Sequence, residues 1–264
     1  MSDERPEASA DSEPELPRVD LIDWLLYVPF ICVFFCVLLV FEVAQRIAFK
    51  ISRQAHQTTV RGLNRCLRLS LRIVGTRFVI ETNQLGAVGV PHILISNHQS
   101  MFDIPILDTV FGIHQPRFIA KQELGRGIPS VSLNLRLGGA ALIDRTNPRQ
   151  ALPEIKRLGR DAEARHFAAA IFPEGTRAKR GVLKEFHHAG ISALMSAAPS
   201  ADFIPIAIDG SWKLASRPRG PIPRGTTVTV VVLEPIAREG LDAKAITQLA
   251  RQRIAAELER IRNR

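Results

Sequence analysis

The hydrophobic pattern changes character twice along the chain. Residues 1–20 show no apolar periodicity and are rich in Pro, Ser, Ala and acids, the composition of a disordered tail. Trp24 to Phe41 is then an unbroken apolar run of 18 residues. As a helix it is about 27 Å long, close to the hydrocarbon thickness of a bilayer. Trp24 and Tyr27 gather near its start like interfacial aromatics. The flank before it is acidic and no small-residue cleavage site follows, so a cleaved signal peptide is a poor fit. Further on, Arg61, Arg65, Arg68 and Arg72 are spaced by four, three and four, with Val60, Leu63, Leu67, Leu71 and Val74 on the opposing face. That spacing predicts a basic amphipathic helix suited to an anionic membrane surface. The bland alternative is a surface helix with solvated arginines. The pattern leaves open whether the first helix crosses the bilayer or dips in and returns through the second.

From residue 76 the texture is that of a folded domain. Short apolar or β-branched runs recur at 78–82, 93–96, 117–120, 140–144, 168–172, 203–208 and 227–233. Helical patterns lie between several of them, at 104–111, 150–164, 189–197 and 243–261. The alternation predicts an α/β fold: a single layered domain with a mixed, largely buried sheet flanked by helices, preceded by an N-terminal membrane-embedded helical element. The expected organisation is a tail over 1–20, an anchor over 21–75 and the layered domain over 76–264. Pro205 interrupts the run Ile204 to Ile208, which predicts an edge strand or a bulge there.

Charge narrows the partners. The chain of 264 residues carries +9, but residues 1–20, with seven acids and two arginines, carry −5, leaving +14 on the rest. A basic body suits polyanions: nucleic acid, anionic lipid or phosphorylated substrates. Aromatics are only 6% and no nucleic-acid recognition motif appears, which argues against nucleic acid. The three cysteines, Cys32, Cys36 and Cys66, form no CxxC pair and suggest no metal site.

Candidate chemistry gathers where strands give way to loops, the usual place for sites in such sheets. Asn97-His98-Gln99-Ser100-Met101-Phe102-Asp103 follows the run ending at Ser96. If the chain turns sharply, Asp103 accepts the imidazole N–H and leaves the other nitrogen of His98 as a general base. On spacing alone, a strand-end histidine with an unrelated helix-capping aspartate is the readier account. Ile171-Phe172-Pro173-Glu174-Gly175-Thr176-Arg177 places a left-handed-capable glycine, a hydroxyl and a guanidinium at another strand end. Arginine's fork suits a phosphate, although a plain strand-exit turn reads the same way. Lys121 and Arg145 are further cations at strand ends, with Asp144 as a competing salt-bridge partner for Arg145.

Together these segments resemble the 1-acylglycerol-3-phosphate (lysophosphatidate) acyltransferase family of glycerolipid acyltransferases. NHQSMFD corresponds to its NHxxxxD motif, followed in the family's order by GGAALIDR, FPEGTR and IPIAI, over roughly residues 75–235. The resemblance implies acyl transfer from a thioester, acyl-CoA or acyl carrier protein, to the free hydroxyl of a lysophospholipid. His98 is then the base and Asp103 its orienting carboxylate. Arg145 and Arg177 hold the acceptor phosphate, Asn97, Glu174, Gly175 and Thr176 shape the pocket, and Lys121 is a third cation. The reaction so implied needs no cofactor, no metal and no covalent acyl-enzyme. Membrane lipids are the other implied partner, and the cations that follow the apolar run, from Arg46 and Lys50 to Arg77, put the domain on the cytoplasmic face of the inner or plasma membrane by the positive-inside rule.

One departure qualifies the acceptor. Where many relatives carry a Phe-Lys-Lys-Gly-like stretch, this chain has Phe186-His187-His188-Ala189-Gly190, with less fixed positive charge at neutral pH. Acylation of a different lyso-lipid, such as a lyso-aminolipid, therefore stays open. So do a lipid thioesterase and a non-catalytic lipid-binding protein, the last having no use for a paired base at a strand end.

Overall fold

A computed structural model describes residues 15–82, 85–218 and 220–264, so most of the expected acidic tail lies outside the described residues. Seven strands form one sheet: β1 (Arg77–Thr82), β2 (His92–Ser96), β3 (Arg117–Lys121), β4 (Ala141–Ile143), β5 (Ala168–Ile171), β6 (Asp202–Asp209) and β7 (Thr227–Val232). Their order is β1-β7-β6-β2-β5-β3-β4. Strands β6, β2, β5, β3 and β4 run parallel, whereas β7 is antiparallel to β6 and parallel to β1. The carboxyl ends of five neighbouring strands therefore share one rim.

The period-2 alternation of strands explains the layers. Ile93 and Ile95 of β2 enter one core, while Leu94 between them enters the other. The first core lies under α5 (Pro148–Arg165) and α6 (His188–Ala197), with Ile246 and Ala250 of α7 (Ala243–Arg262). The second lies under α3 (Asp103–Val110) and the helices that open the chain. Ala168–Ala170 of β5 are all buried alanines, so helices close on this strand from both sides.

The apolar run is the middle of a longer helix. α1 spans Leu21–Ile51, 31 residues, and α2 spans Arg53–Ser70. Asp20 and Asp23 form a capping box before the apolar run begins, and Ser52 ends α1 while its hydroxyl caps α2. Glu42 and Gln45 continue the helix because they have domain partners. The Glu42 carboxylate accepts from Ser130 N at 2.6 Å, and Gln45 donates to Ser130 O at 3.2 Å. At the other end Arg224 N donates to Asp23 at 2.8 Å. Between these ties, Phe30, Leu38, Gln45 and Ala48 are buried, whereas Leu25, Val28, Phe35, Leu39, Val43 and Ile47 are exposed. Leu63 and Leu67 of α2, with Leu71 and Val74 beyond its end, are buried as their spacing predicts.

Two elements depart from the sequence pattern. β6 is not an edge strand, since it lies between β2 and β7, and of the two expectations for Pro205 the bulge is the one that holds. The ladder to β7 slips opposite Pro205: Ile206 faces Val232 and Phe203 faces Ile236, three steps on one strand against four on the other. Leu233 N donates to Pro205 O, so the proline sits where its missing N–H is tolerated. The second departure is α4 (Val131–Leu137), a helix whose Val131, Leu133, Leu135 and Leu137 alternate with polar residues as a strand's would. Ser132 secures it, its hydroxyl accepting from Ile128 N and donating to Leu124 O.

Candidate active site

β2 ends at Ser96 and the next residues are pinned from both sides. The Asn97 carboxamide pairs with the backbone of Ile208 through both its atoms, each at 2.8 Å, extending the β2–β6 ladder past its last backbone pair. His98 N donates to Glu174 Oε1 at 2.8 Å, and His98 O accepts from Ala178 N at 2.7 Å. The segment after β5 thus fixes the backbone of the segment after β2.

The sharp turn required by the sequence is present. Asp103 opens α3, where the helix dipole favours a carboxylate. Its Oδ2 accepts from His98 Nδ1 at 2.8 Å, Gln99 N at 2.7 Å and Ser100 N at 2.9 Å. Its Oδ1 accepts from Ser211 Oγ at 2.5 Å and, more weakly, from Ser100 Oγ at 3.4 Å. A carboxylate acceptor at Nδ1 puts the ring proton there and leaves Nε2 as the basic nitrogen. Phe172 stacks on the imidazole with ring centroids 4.1 Å apart and planes 18° apart. The ring is held on its edge and face, while 9% of the side chain stays open.

Glu174 is buried behind this arrangement. Both carboxylate oxygens accept backbone N–H groups, from His98 at 2.8 Å and from Lys184 at 3.3 Å. Burial nevertheless lifts its pKa to about 7, outweighing those two donors and the Lys184 charge. Gly175 follows with φ 70°, the left-handed turn that sends Thr176 and Arg177 outward. Lys184 Nζ donates to Thr176 Oγ1 at 2.8 Å and to Arg177 O at 3.0 Å. Arg145, two residues past β4, is exposed. Desolvation and then the Arg177 guanidinium lower its pKa, with Glu123 opposing. Lys121 ends β3 and pairs with Glu123 at 2.9 Å.

His98, Phe172–Arg177, Lys121 and Arg145 therefore occupy successive strand ends of one rim. His187 N donates to Pro173 O, and its Cδ2 lies 3.9 Å from where a Cβ on Gly175 would sit. The described residues hold no cluster of three or more His, Cys, Asp or Glu arranged for a metal. Ser211 joins the site without any sequence signal, and Gln99 and Lys184 join it from segments whose sequence singled out other residues. Ser211 lies 108 residues from Asp103 and is delivered by Gly210, whose φ is 83° and where a Cβ would stand 2.2 Å from Thr227 O. Gln99 Nε2 reaches Asp209, and its Oε1 accepts from Ser211 Oγ and Trp212 N.

A layered sheet with a His–Asp pair at a strand end and cations on the adjoining ends defines a class, and the comparisons identify it. A family model described as "Acyltransferase" matches residues 71–209. The chain belongs to that family. It is 30% identical over 183 residues to the 1-acyl-sn-glycerol-3-phosphate acyltransferase of Cocos nucifera, covering 68% of this chain and 56% of that protein. It is 29% identical over 175 residues to the human 1-acyl-sn-glycerol-3-phosphate acyltransferase beta, covering 66% and 61%. The matches reach 52% to 64% of the length of the yeast, human and fission-yeast relatives. The crystal structure of the 1-acyl-sn-glycerophosphate acyltransferase PlsC from Thermotoga maritima has the same fold, with a TM-score of 0.74 at 20% identity over 92% of this chain and 98% of that one.

Proposed function

We propose that this chain transfers a fatty acyl group from an acyl thioester, acyl-CoA or acyl carrier protein, to the free hydroxyl of lysophosphatidate. The observation that carries this reading is the His98–Asp103 pair, with Nε2 of His98 unpaired among the described residues and Arg145 and Arg177 on the same rim. Nε2 takes the hydroxyl proton as the acceptor oxygen attacks the thioester carbonyl. The tetrahedral intermediate collapses, the C–S bond breaks, and the imidazolium returns its proton to the departing thiolate. Asp103 holds the tautomer and offsets the positive charge that forms on the ring. Arg145 and Arg177 bind the phosphate, with Lys184 placed on Thr176. Lys184 restores a cation that His187 and His188 do not supply, which favours lysophosphatidate over a lyso-aminolipid.

The same reading extends to the membrane. Asp23 and Glu42, about 28 Å apart along α1, both bond to the domain. A helix spanning the bilayer between them would separate those two contacts by the membrane. α1 instead lies along the domain, and its exposed apolar face enters one leaflet from the cytoplasmic side. Phe30 and Phe34 of α1 pack against Phe102, at 6.4 and 6.1 Å between ring centroids, so the anchor touches the catalytic turn itself. An acceptor lipid reaches His98 without leaving the leaflet.

The test is an acceptor and donor screen with detergent-solubilised protein, comparing wild type with His98→Ala. Labelled phosphatidate from lysophosphatidate, lost in the variant, is the expected result. Release of free fatty acid without acceptor dependence would instead establish a thioesterase. Near-normal transfer by His98→Ala would remove the proposed base.

A further inference from the structure

A second cationic cleft, away from His98, has no place in the reaction above. α2 ends at Ser70, and the chain closes two tight turns, with Gly75 N donating to Arg72 O and Thr76 N to Leu71 O, before Arg77 starts β1. The result brings the end of a helix and the start of a strand around a cleft of about 430 Å³. Arg68, Leu69, Arg72, Thr76, Arg77 and Phe78 line it. β1 is the edge strand, three places from β2, which sets the cleft roughly 14 Å across the sheet from the His98 strand.

Its polar groups are unspent. Arg68 Nε and Thr76 Oγ1 are buried without a hydrogen-bond partner among the described residues, and Thr76 is only 4% exposed. Such groups are costly unless something binds them. Arg68 lies 5.4 Å over the Phe78 ring, so its guanidinium is held in place. Burial, then Arg72 and Arg65, lower its pKa, and no carboxylate among the described residues eases that crowding. An anion accepting from several guanidinium forks at the cleft relieves the repulsion among them.

We propose that this cleft binds the phosphate of an anionic membrane phospholipid, a lipid site separate from the acceptor site. A phosphate ester is the shared chemistry, and the surroundings select the lipid form. Leu69, 40% exposed, stands at the cleft, and α2 packs against α1, whose outer face is apolar. A phospholipid lying in the leaflet beside the two helices presents its phosphate to Arg68, Arg72 and Arg77 while its chains meet apolar surface. The site rests on the one-leaflet reading of α1 and goes beyond it by distinguishing a discrete clamp from diffuse positive charge.

The test is sedimentation of full-length protein with vesicles of pure phosphatidylcholine or of phosphatidylcholine with phosphatidylglycerol. The cleft variant is Arg72→Gln/Arg77→Gln. The charge-matched control is Lys50→Gln/Arg53→Gln, which removes two exposed cations from the same helical layer outside the cleft. The expected result is a loss of affinity for the anionic vesicles about tenfold larger in the cleft variant than in the control, with unchanged binding to pure phosphatidylcholine. Equal losses in the two variants would leave only diffuse attraction and overturn the clamp. Failure of wild type to bind either vesicle would overturn the membrane reading itself. A second arm titrates inorganic phosphate into detergent-solubilised protein and reads the melting temperature, with no rise expected at millimolar phosphate. A rise absent from the cleft variant, with no excess loss on vesicles, would assign the cleft to a soluble phosphate ester and overturn the lipid assignment.

Discussion

The floor and the wall of the candidate site are built on opposite terms. On the floor, Asp103 is wholly buried, and its two oxygens take five hydrogen bonds from His98, Gln99, Ser100 and Ser211. On the wall, Arg145 and Arg177 stand exposed, and desolvation and then the Arg177 charge lower the pKa of Arg145. The difference separates two tasks. A proton-transfer group works best when its geometry is set in advance, so its partners are spent before substrate arrives. Phosphate binders need donors left over, so theirs are spent only when the ligand does. Lys121 sits between these cases, since Glu123 already occupies it.

The largest expected effect comes from breaking the floor. Asp103→Asn preserves the shape but offers Nδ1 of His98 an amide in place of a carboxylate. We expect kcat for acyl transfer to fall about 10³- to 10⁴-fold, with little change in acceptor KM. A fall of less than tenfold, measured by steady-state transfer of labelled acyl groups, would mean Asp103 is only a structural cap. Breaking the wall acts on the other parameter. Arg177→Ala removes one half of the phosphate grip, so the acceptor KM rises roughly 10- to 100-fold while the donor KM holds. Equal changes in both would detach Arg177 from the phosphate.

Ser211 sharpens the comparison because it belongs to the floor by contact and to a distant loop by sequence. Ser211→Ala withdraws the 2.5 Å hydrogen bond to Asp103 Oδ1 but leaves the three on Oδ2. We expect about a tenfold loss in kcat with both KM values unchanged. A shift in acceptor KM instead would place Ser211 on the wall.

The floor was legible in the sequence because its central pair is local. His98 and Asp103 are five residues apart, and the intervening turn is the only conformation that lets them meet. The wall was legible as three cations at strand ends, Lys121, Arg145 and Arg177, since a parallel sheet brings its carboxyl ends together. Ser211 was not, because a loop 108 residues from Asp103 delivers it and leaves no spacing to read. The same locality governs the fold. Strand and helix periods located all seven strands, whereas α4 escaped because its alternation imitates a strand. Pro205 was placed at a bulge or an edge, and only tertiary pairing decides that the slip occurs inside the sheet. α1 outgrew its apolar run because Glu42 and Gln45 face Ser130, a partner no local pattern contains.

Glu174 joins floor to wall, and its titration gives the subtlest test. Its pKa is lifted by burial from 4.5 to about 7. A carboxyl raised in the folded state favours folding while it is protonated. That contribution is complete below about pH 4.5, declines as pH rises, and is gone above about pH 7. Its size is on the order of 3 kcal/mol for a shift of this extent. Yet both oxygens accept backbone N–H groups, from His98 and Lys184, and those bonds are strongest to the anion. Glu174 therefore trades stability for a firm hold on the His98 backbone as pH rises toward neutrality. Glu174→Gln cannot ionise, and its amide NH₂ opposes one of the two N–H donors. Urea unfolding at pH 5 and pH 8 should show the variant losing less stability than wild type over that interval. Its transfer activity at pH 8 should still be lower, because the His98 backbone has lost a partner. An identical pH dependence in the two proteins would mean that Glu174 is already ionised across the range, held by its two backbone donors against burial.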